Sequence, residues 1–428
     1  MTERPRTQRG ARLTLRYRSF FIPRPFQRNP ITVLRSLFLA LLLAPALALA
    51  DTPAPAPAAG LATAPAAGTA APIPPPPTVD ARAYILADFQ SGRILAQSHM
   101  DDRAEPASLT KLMTAYVVFR ALQENRLKLT DMVTISEHAW KAEGSRTFVQ
   151  VGTQIPVDIL IKGMIVQSGN DATIALAERV GGTEAAFAQM MNEYAKRLGM
   201  KNSNFENSDG LPSPNHYTTA HDIEILSAAL IREFPQYYPL FSLKQFMWNN
   251  IRQDNRNGLL GKDPTVDGLK TGHTDSAGFC LATSANRNGM RLVSIVMGSP
   301  SIKAREDASA ALLNYGYTFY ETVRVKAARE TILKPRVFKS AAEFADLGVP
   351  ADVYATVGRG QGGTLKTGTH LFNEPLVAPL AALQPVGEFS GTDASGQVVA
   401  RAPLVPFTAV PLGGLWTRMT DSVALWFH

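Results

Sequence analysis

The chain has 428 residues, 45% of them hydrophobic, which is enough for two ordinary domains with their own cores. Its formal net charge is +7, but residues 1–50 contain nine arginines, no lysine and one acidic residue. The rest of the chain has 34 basic and 35 acidic residues and is therefore close to neutral. The excess of positive charge belongs to a leader, so the sequence predicts no nucleic-acid partner.

The N-terminal leader has the pattern of a secretory signal peptide over residues 1–50. A basic region is followed by an apolar run at 37–43 and by a small-residue cleavage site at 48–50. The apolar stretch is short and interrupted by Pro45, which favours cleavage over a retained transmembrane anchor. Residues 51–78 are rich in Ala, Pro and Thr and predict an extended linker without packed structure.

The sequence predicts neither an internal disulfide nor a metal site. Cys280 is the single cysteine of the chain, which excludes an internal disulfide. It lies in an apolar run, which is typical of a buried strand residue rather than a nucleophile. His216 and His221 do not have the spacing of zinc-protease ligands and are predicted to be surface or loop residues. We therefore expect no metal and no cofactor.

Between residues 79 and 320 the pattern predicts an α+β domain. Two hairpins are expected, from 81–88 with 94–96 and from 278–285 with 290–298, the second closed by an Asn-Gly turn. Strands followed by helices, strands and a last helix imply an antiparallel sheet with helices packed against it. The helices, recognised by apolar residues at helical spacing, are predicted at 106–123, 156–166, 171–180, 184–197, 219–232 and 303–319.

After about residue 320, short β-like runs separated by Gly and Pro predict a small all-β domain over 321–410. Residues 411–428 follow as an amphipathic helix, too short and polar to span a bilayer, which is predicted to lie in the membrane interface. Arg418 is expected to be offset there by Asp421, so that apolar burial dominates. The alternative is a helix packed on the β-domain. The apolar face consists of Leu415, Trp416, Met419, Val423, Trp426 and Phe427.

Residues 106–111 read Pro-Ala-Ser-Leu-Thr-Lys and contain a Ser-x-x-Lys motif. On a helix Ser108 and Lys111 share one face, where an uncharged lysine can take the hydroxyl proton of the serine. Pro106 fits a helix start, which leaves the Ser108 backbone N–H unpaired and able to bind an oxyanion. Alone, the motif is more often an ordinary helix start.

A Ser-x-Asn motif, formed by Ser168 and Asn170, lies between two segments of helical pattern. In an irregular loop both side chains can point into a cleft, which would place them beside a substrate. Helix capping is the simpler interpretation of this motif taken alone.

A Lys-Thr-Gly motif at 270–272 lies in a segment that predicts a strand. Lys270 and Gly272 point the same way from a strand, and glycine leaves room for a peptide that adds to the sheet edge. A second Lys-Thr-Gly, at 366–368, has no Ser-x-x-Lys of its own and is interpreted as coincidence.

The order and spacing of the three motifs match penicillin-recognising serine enzymes, since Ser108, Ser168 and Lys270 are separated by 60 and 102 residues. The sequence therefore predicts an acyl-transfer enzyme. From about residue 80 to 410 the chain resembles the low-molecular-mass penicillin-binding proteins that are D-alanyl-D-alanine carboxypeptidases, which implies a β-lactamase/transpeptidase-like fold. The stretches that carry this resemblance are 106–116, 167–172, 256–260 and 266–274.

The resemblance implies a role for each motif residue. Ser108 would be acylated by the penultimate D-Ala carbonyl, with Lys111 as general base. Lys111 is expected to be neutral, its pKa lowered by burial and by the nearby Lys270. Ser168 would relay a proton to the leaving D-Ala, Asn170 would orient the substrate amide, and Lys270 would supply positive potential. Water would then release the acyl chain.

The resemblance also implies how the substrate is held. Backbone N–H groups of Ser108 and His273 would form the oxyanion hole, and a terminal carboxylate would bind nearby. The implied partners are the peptidoglycan stem peptide, β-lactams as covalent inhibitors, and the membrane surface at the periplasmic face of a bacterial inner membrane. For the two arginines of the site a surface ion pair is the alternative. The substrate-binding residues would be Lys270, Thr271, Gly272, Arg256 and Arg305.

Two other classes of protein share part of this pattern. A β-lactamase has the same three motifs, but a Glu-rich loop of the class A kind is not found and the β-domain would be unexplained. A non-catalytic β-lactam sensor would be expected to carry signalling or transmembrane segments. The motifs leave open the balance between carboxypeptidase and endopeptidase activity.

Overall fold

The computed structural model describes residues 72–427, whose strands fall into two groups along the chain. Strands β1 to β9 belong to the part that contains the three motifs, and β10 to β18 follow it. In chain order the strands are β1 (Ala83–Asp88), β2 (Ile94–Ser98), β3 (Met132–Thr134), β4 (Gln154–Pro156), β5 (Gln245–Trp248), β6 (Ile251–Asp254), β7 (Val266–Thr274), β8 (Gly278–Arg287), β9 (Met290–Ser299), β10 (Tyr320–Lys326), β11 (Thr331–Leu333), β12 (Val337–Phe338), β13 (Leu347–Gly348), β14 (Val353–Gly358), β15 (Lys366–Leu371), β16 (Leu376–Val377), β17 (Gly387–Thr392) and β18 (Val398–Pro406).

Several helices begin at side-chain caps that the sequence supplies. The hydroxyls of Thr183, Thr219 and Ser301 each accept a backbone N–H from the first turn, which satisfies a donor that has no partner within the helix. In chain order the helices are α1 (Thr110–Gln123), α2 (Glu137–Trp140), α3 (Val157–Lys162), α4 (Asn170–Gly181), α5 (Glu184–Leu198), α6 (Ala220–Glu233), α7 (Leu259–Lys262), α8 (Ile302–Phe319) and α9 (Leu415–Ala424).

The two predicted hairpins join into one antiparallel sheet in the order β2-β1-β9-β8-β7. β1 pairs with β9 from Ala83 opposite Met297 to Asp88 opposite Leu292, and β8 lies between β9 and β7. β7, which carries the Lys-Thr-Gly motif, is therefore an edge strand of this sheet. The prediction of an antiparallel sheet with helices against it is confirmed.

Both faces of this sheet are buried under helices. Successive side chains of a strand point to opposite faces, so neighbouring residues enter two different cores. Ile85 of β1 joins a core with α1, α4 and α6, whereas its neighbour Leu86 joins a second core with α8. Cys280 in β8 is fully buried in the first core, as its apolar neighbours predict. The sheet is thus fixed from both sides, and the site is built on a rigid edge.

The second part of the chain contains the predicted all-β region and its own small cores. A five-stranded sheet has the order β11-β13-β18-β17-β15, and β10 pairs with β14. The second Lys-Thr-Gly lies in β15, where Lys366, Thr367 and Gly368 are all exposed and pair with β17. This position outside the first sheet agrees with its interpretation as coincidence.

The proposed signal peptide, 1–50, lies outside the described residues, as does the linker up to residue 71. The end of the linker is packed, contrary to expectation: the hydroxyl of Tyr315 donates to the carbonyl of Pro74 at 2.9 Å, and Ile73 contacts the core beside α8. None of the helices in the described part of the chain has the length and apolar character needed to cross a bilayer.

Candidate active site

Ser108 lies in a tight turn at the start of α1. Residues Ala107–Leu109 form a 3-10 turn and the α-helix begins at Thr110, slightly later than the predicted start at Pro106. Ala107 has a φ of 47°, and its carbonyl oxygen would be 1.9 Å from a Cβ built on Gly210. Gly210 itself has a φ of +87°, so this close backbone contact beside Ser108 requires glycine.

Lys111 is 1% exposed, and its Nζ donates three hydrogen bonds. The acceptors are Ser108 Oγ at 3.0 Å, Asn170 Oδ1 at 2.6 Å and the Asp209 carbonyl oxygen at 2.6 Å. Burial, with a further contribution from the Arg256 charge, lowers the pKa of Lys111 to about 8, while the Asp209 carboxylate opposes the shift. The predicted lowering is confirmed, with Arg256 as the neighbouring charge that lowers this pKa, while the repulsion between Lys111 and Lys270 lowers the pKa of Lys270. A pKa of about 8 leaves most of Lys111 protonated near pH 7, contrary to the expected neutral form.

Ser168 and Asn170 lie where a π-helical turn over Gly163–Gln167 meets α4. Ser168 has a left-handed backbone, with a φ of 65°, and its hydroxyl accepts a hydrogen bond from Lys270 Nζ at 2.9 Å. Asn170 is the first residue of α4. Its side-chain oxygen accepts a hydrogen bond from Lys111, and its side-chain nitrogen donates one to the Glu143 carbonyl at 2.7 Å. The Ser-x-Asn motif therefore links Lys111 and Lys270 to one loop.

β7 brings the Lys-Thr-Gly motif against the turn that holds Ser108. A Cβ built on Gly272 would be 3.2 Å from the backbone nitrogen of Ser108, so the two backbones are in close contact. Lys270 is buried, and its Nζ also donates to the Thr271 carbonyl at 3.0 Å. Burial and then the charges of Lys111 and two arginines hold the pKa of Lys270 well below its usual range. An incoming carboxylate would offset this lowering.

A cavity of about 640 Å³ opens over Ser108. Arg256 is at its exposed rim, and Arg305, only 4% exposed, donates to the carbonyls of Gly272 at 3.2 Å and Cys280 at 3.3 Å. Within residues 72–427 neither arginine forms an ion pair, so the surface-pair alternative is wrong. The cavity is lined by Ser108, Gly144, Ser145, Ser168, Arg256, Thr271, Gly272, His273, Phe279, Ile302 and Arg305.

Comparisons with known proteins agree with this geometry. A family described as D-alanyl-D-alanine carboxypeptidase matches residues 69–301, and the penicillin-binding protein 5 C-terminal domain matches residues 320–411. The carboxypeptidase DacA of Escherichia coli (strain K12) is 42% identical over 360 residues, which cover 82% of this chain and 89% of DacA. Crystallised penicillin-binding protein 5 of Haemophilus influenzae has a TM-score of 0.76 at 41% identity, covering 78% of this chain and 99% of that one.

The chain belongs to the D-alanyl-D-alanine carboxypeptidase family. A more distant relative of known structure, penicillin-binding protein D2 of Listeria monocytogenes with cefotaxime bound, is 29% identical with a TM-score of 0.53 and covers 57% of this chain. The predicted fold class and the predicted enzyme class, a serine-type carboxypeptidase, are both confirmed. The match at 320–411 also accounts for the all-β part that a β-lactamase would leave unexplained.

Two acidic residues of this carboxypeptidase site carry no motif signal of their own. Asp209 presents its backbone carbonyl to Lys111, as described above. Asp171 is fully buried and its carboxylate accepts the backbone N–H groups of Thr147 at 2.7 Å, Phe148 at 2.8 Å and Val149 at 3.2 Å. It thereby fixes the loop that follows Gly144 and Ser145, two residues that line the cavity. Its position directly after Asn170 is the one sequence signal that could have indicated this role.

His216 is a loop residue, as predicted, but it is buried rather than at the surface. Its Nδ1 accepts the backbone N–H of Glu206 at 3.1 Å and its Nε2 lies 2.8 Å from the Thr110 hydroxyl. Burial lowers the pKa of His216 to about 4, so the ring is neutral and supports the start of α1. His221 is half-buried in α6. In the described part of the chain, acidic, histidine and cysteine side chains do not cluster as metal ligands would.

Removing the Asp209 carboxylate is expected to shift the acid limb of activity to lower pH. Lys111 must be neutral to accept a proton, so kcat/KM should rise with pH through its pKa of about 8. The anionic Asp209 favours the ammonium form, and Asp209→Asn should therefore lower this pKa. The measurement is kcat/KM on a D-Ala-D-Ala peptide from about pH 5 to 10. Glu193→Gln, at an exposed ion pair, is the control. If the acid limb of Asp209→Asn lies at the same pH as that of the wild type, the assignment of this limb to Lys111 is wrong.

Proposed function

We propose that the enzyme removes the terminal D-Ala of peptidoglycan stem pentapeptides through an acyl-enzyme on Ser108. The observation that carries this proposal is the buried Lys111 Nζ, 3.0 Å from Ser108 Oγ at the floor of the cavity. Neutral Lys111 takes the hydroxyl proton while Oγ attacks the penultimate D-Ala carbonyl. Backbone N–H groups of Ser108 and His273 bind the oxygen that becomes negative in this step.

The second half of the reaction uses the hydroxyl of Ser168. The C–N bond to the terminal D-Ala breaks, and the proton that Lys111 took from Ser108 passes to the leaving nitrogen through the hydroxyl of Ser168, which is hydrogen-bonded to Lys270. This transfer returns Lys111 to its neutral form. A water molecule then attacks the ester, with Lys111 again as base, and frees the shortened peptide. Asn170 holds Lys111 in place throughout, and its orienting role toward the substrate amide remains a prediction.

The terminal carboxylate of the substrate is proposed to bind at the cationic end of the cavity. Arg256 and Arg305 line that end of the cavity together with Thr271, which adds a hydroxyl. Lys270 is buried close enough to both arginines for their charges to lower its pKa. Burial lowers the pKa values of all three bases, and repulsion by Arg256 lowers those of Lys270 and Arg305 further. A bound anion would relieve that repulsion. Gly272 lets β7 lie directly against the backbone of the turn that holds Ser108, and its role in admitting a peptide backbone at the strand edge stays a prediction.

Steady-state hydrolysis tests the proposal against both alternatives. Release of D-Ala from a D-Ala-D-Ala peptide, with slow or absent turnover of nitrocefin, is expected of a carboxypeptidase. Fast nitrocefin turnover would indicate a β-lactamase, and stoichiometric acylation without peptide turnover would indicate a sensor.

The same substitution should lower activity in the first Lys-Thr-Gly copy and leave it unchanged in the second. Thr271→Val removes a hydroxyl from the proposed carboxylate site and should lower kcat/KM roughly 10- to 100-fold, the loss expected for a hydrogen bond to a charged group. Thr367→Val changes an exposed residue of β15 and should leave kcat/KM unaltered. If both variants lose activity equally, the single-site assignment is wrong.

We further propose that the mature enzyme, divided as predicted into 79–320, 321–410 and 411–428, is exported and rests on the periplasmic face of the inner membrane. The orientation of α9 supports the contact with a membrane, and the predicted signal peptide is the basis for export. Asp421 is buried, pairs with Arg336 at 3.1 Å and accepts the backbone N–H of Lys339. The opposite face of α9 and the 3-10 turn that follows it, Leu425–Phe427, are exposed and largely apolar, with Trp416 77% and Trp426 89% accessible.

This arrangement combines features of both alternatives for the C-terminal helix. The polar side of α9 contacts the β-region, so the apolar side remains available to lipid. Because Asp421 is paired with Arg336, it does not offset Arg418, contrary to expectation. Arg418 is therefore free to contact headgroups while apolar burial supplies most of the affinity.

Deleting residues 412–428 should release the enzyme from membranes without loss of catalysis. The deletion removes the six exposed apolar side chains of the helix and leaves the cavity untouched. Fractionation of the two forms with and without moderate salt, together with kcat/KM on soluble peptide, provides the measurement. A truncated protein that still sediments with membranes, or a full-length protein that washes off in salt alone, would contradict apolar anchoring.

A further inference from the structure

One corner of the cavity is apolar and adjoins its cationic end. The ring of His273 stacks on Phe279 with centroids 4.0 Å apart and planes inclined by 29°. The guanidinium carbon of Arg305 lies 5.7 Å from the centre of the Phe279 ring. Phe279 therefore touches both the strand that carries the Lys-Thr-Gly motif and the buried arginine of α8.

Ile302 completes this corner from the start of α8. It is the first residue of the helix after the Ser301 cap, and Arg305 follows three positions later, so both side chains lie on the same helical face. Ile302 lines the cavity and is 54% exposed. About half of its apolar surface therefore stays in contact with water in the folded protein, and a ligand in the cavity would cover it.

The proposed binding of the terminal carboxylate determines which part of a substrate meets this corner. In an amino acid the carboxylate carbon and the side chain are bonded to the same Cα, about 1.5 Å away. A terminal residue whose carboxylate is held by Arg305 and Arg256 must place its side chain within a few ångströms of them. Ile302 and Phe279 are the large apolar side chains that line the cavity there.

We propose that Ile302 and Phe279 form the binding site for the side chain of the leaving C-terminal residue and set its permitted size. The inference rests on the proposed position of the carboxylate and concerns specificity rather than bond cleavage. A methyl group fits against this surface, whereas a branched or long apolar side chain meets Ile302. A cationic side chain is disfavoured by Arg256 and Arg305.

The test uses one peptide body ending in D-Ala followed by Gly, D-Ala, D-Leu or D-Lys. Ile302→Ala should raise the ratio of kcat/KM for the D-Leu peptide over the D-Ala peptide by about tenfold or more, in line with size discrimination in apolar pockets. Ile302→Phe should lower the same ratio. Phe372→Ala, at a residue 56% exposed beyond β15, is the matched control and should leave the ratio unchanged.

Two outcomes separate this inference from the proposed function. If the wild type releases no terminal residue from any of the peptides, the carboxypeptidase proposal itself is wrong, and the specificity inference is overturned with it. If D-Ala release is normal but neither Ile302 variant changes the ratio, only the specificity inference is overturned. Stoichiometric penicillin labelling of each variant verifies that the cavity is folded.

Discussion

Ser108→Ala is expected to abolish peptide hydrolysis and covalent penicillin labelling together. Both reactions require the same oxygen, which Lys111 can deprotonate from 3.0 Å. With no hydroxyl, the remaining cations and backbone donors can bind substrate but cannot form an acyl-enzyme. The loss in kcat should approach that of other serine nucleophiles, on the order of 10⁶-fold.

The matched control is Ser145→Ala, because Ser145 lines the same cavity without contacting Lys111. This variant should still be acylated, and mass spectrometry of its digested complex should find the penicilloyl group on the peptide that contains Ser108. Labelling that survives Ser108→Ala, or an adduct on another peptide, would contradict the assignment of Ser108 as the nucleophile.

The motifs, hairpins and helices could be predicted from the sequence because their signals are local. Alternating and helical periodicities place β1, β8, β9 and α8 within a few residues of their observed bounds. Spacing within each motif also fixes which side chains share a face, so the Lys111–Ser108 contact follows from an i, i+3 relation.

The supports of the site could not be predicted, because they join segments distant in the chain. Asp209 meets Lys111 across 98 positions, and no pattern around residue 209 indicates that its carbonyl accepts a hydrogen bond. His216 reaches Thr110 across 106 positions and is buried by the fold rather than by its neighbours. Burial of a polar residue depends on tertiary packing, which periodicity does not encode.

Charge partners are subject to the same limit. Arg256, in the loop after β6, lowers the pKa of Lys111. Asp421 forms an ion pair with Arg336, 85 positions away in the chain, and does not offset the charge of Arg418. In both cases sequence proximity or motif membership suggested a different partner. The lowered pKa of Lys111 was nevertheless predictable, because burial is its main cause.

Lys111→Arg is expected to lower the acylation rate by about 10²- to 10⁴-fold, the usual contribution of a general base. A guanidinium keeps its proton at all accessible pH values, so it cannot accept the proton of Ser108. The site is also closed around Nζ, which has acceptors at 2.6, 2.6 and 3.0 Å, and a larger head group must displace one of them. Lys141→Arg, at an exposed salt bridge with Glu137, controls for the substitution itself.

The pH profile separates the loss of a base from a loss of packing in Lys111→Arg. Wild-type acylation by penicillin should rise with pH through about 8 as Lys111 loses its proton, because only the neutral amine can act. The variant has no group of that pKa beside Ser108, so its residual rate should be low and lack this rise. A packing defect alone would reduce the rate by a constant factor and preserve the limb. Acylation at a near-normal rate would place the base elsewhere and leave the buried Lys111 as a structural residue.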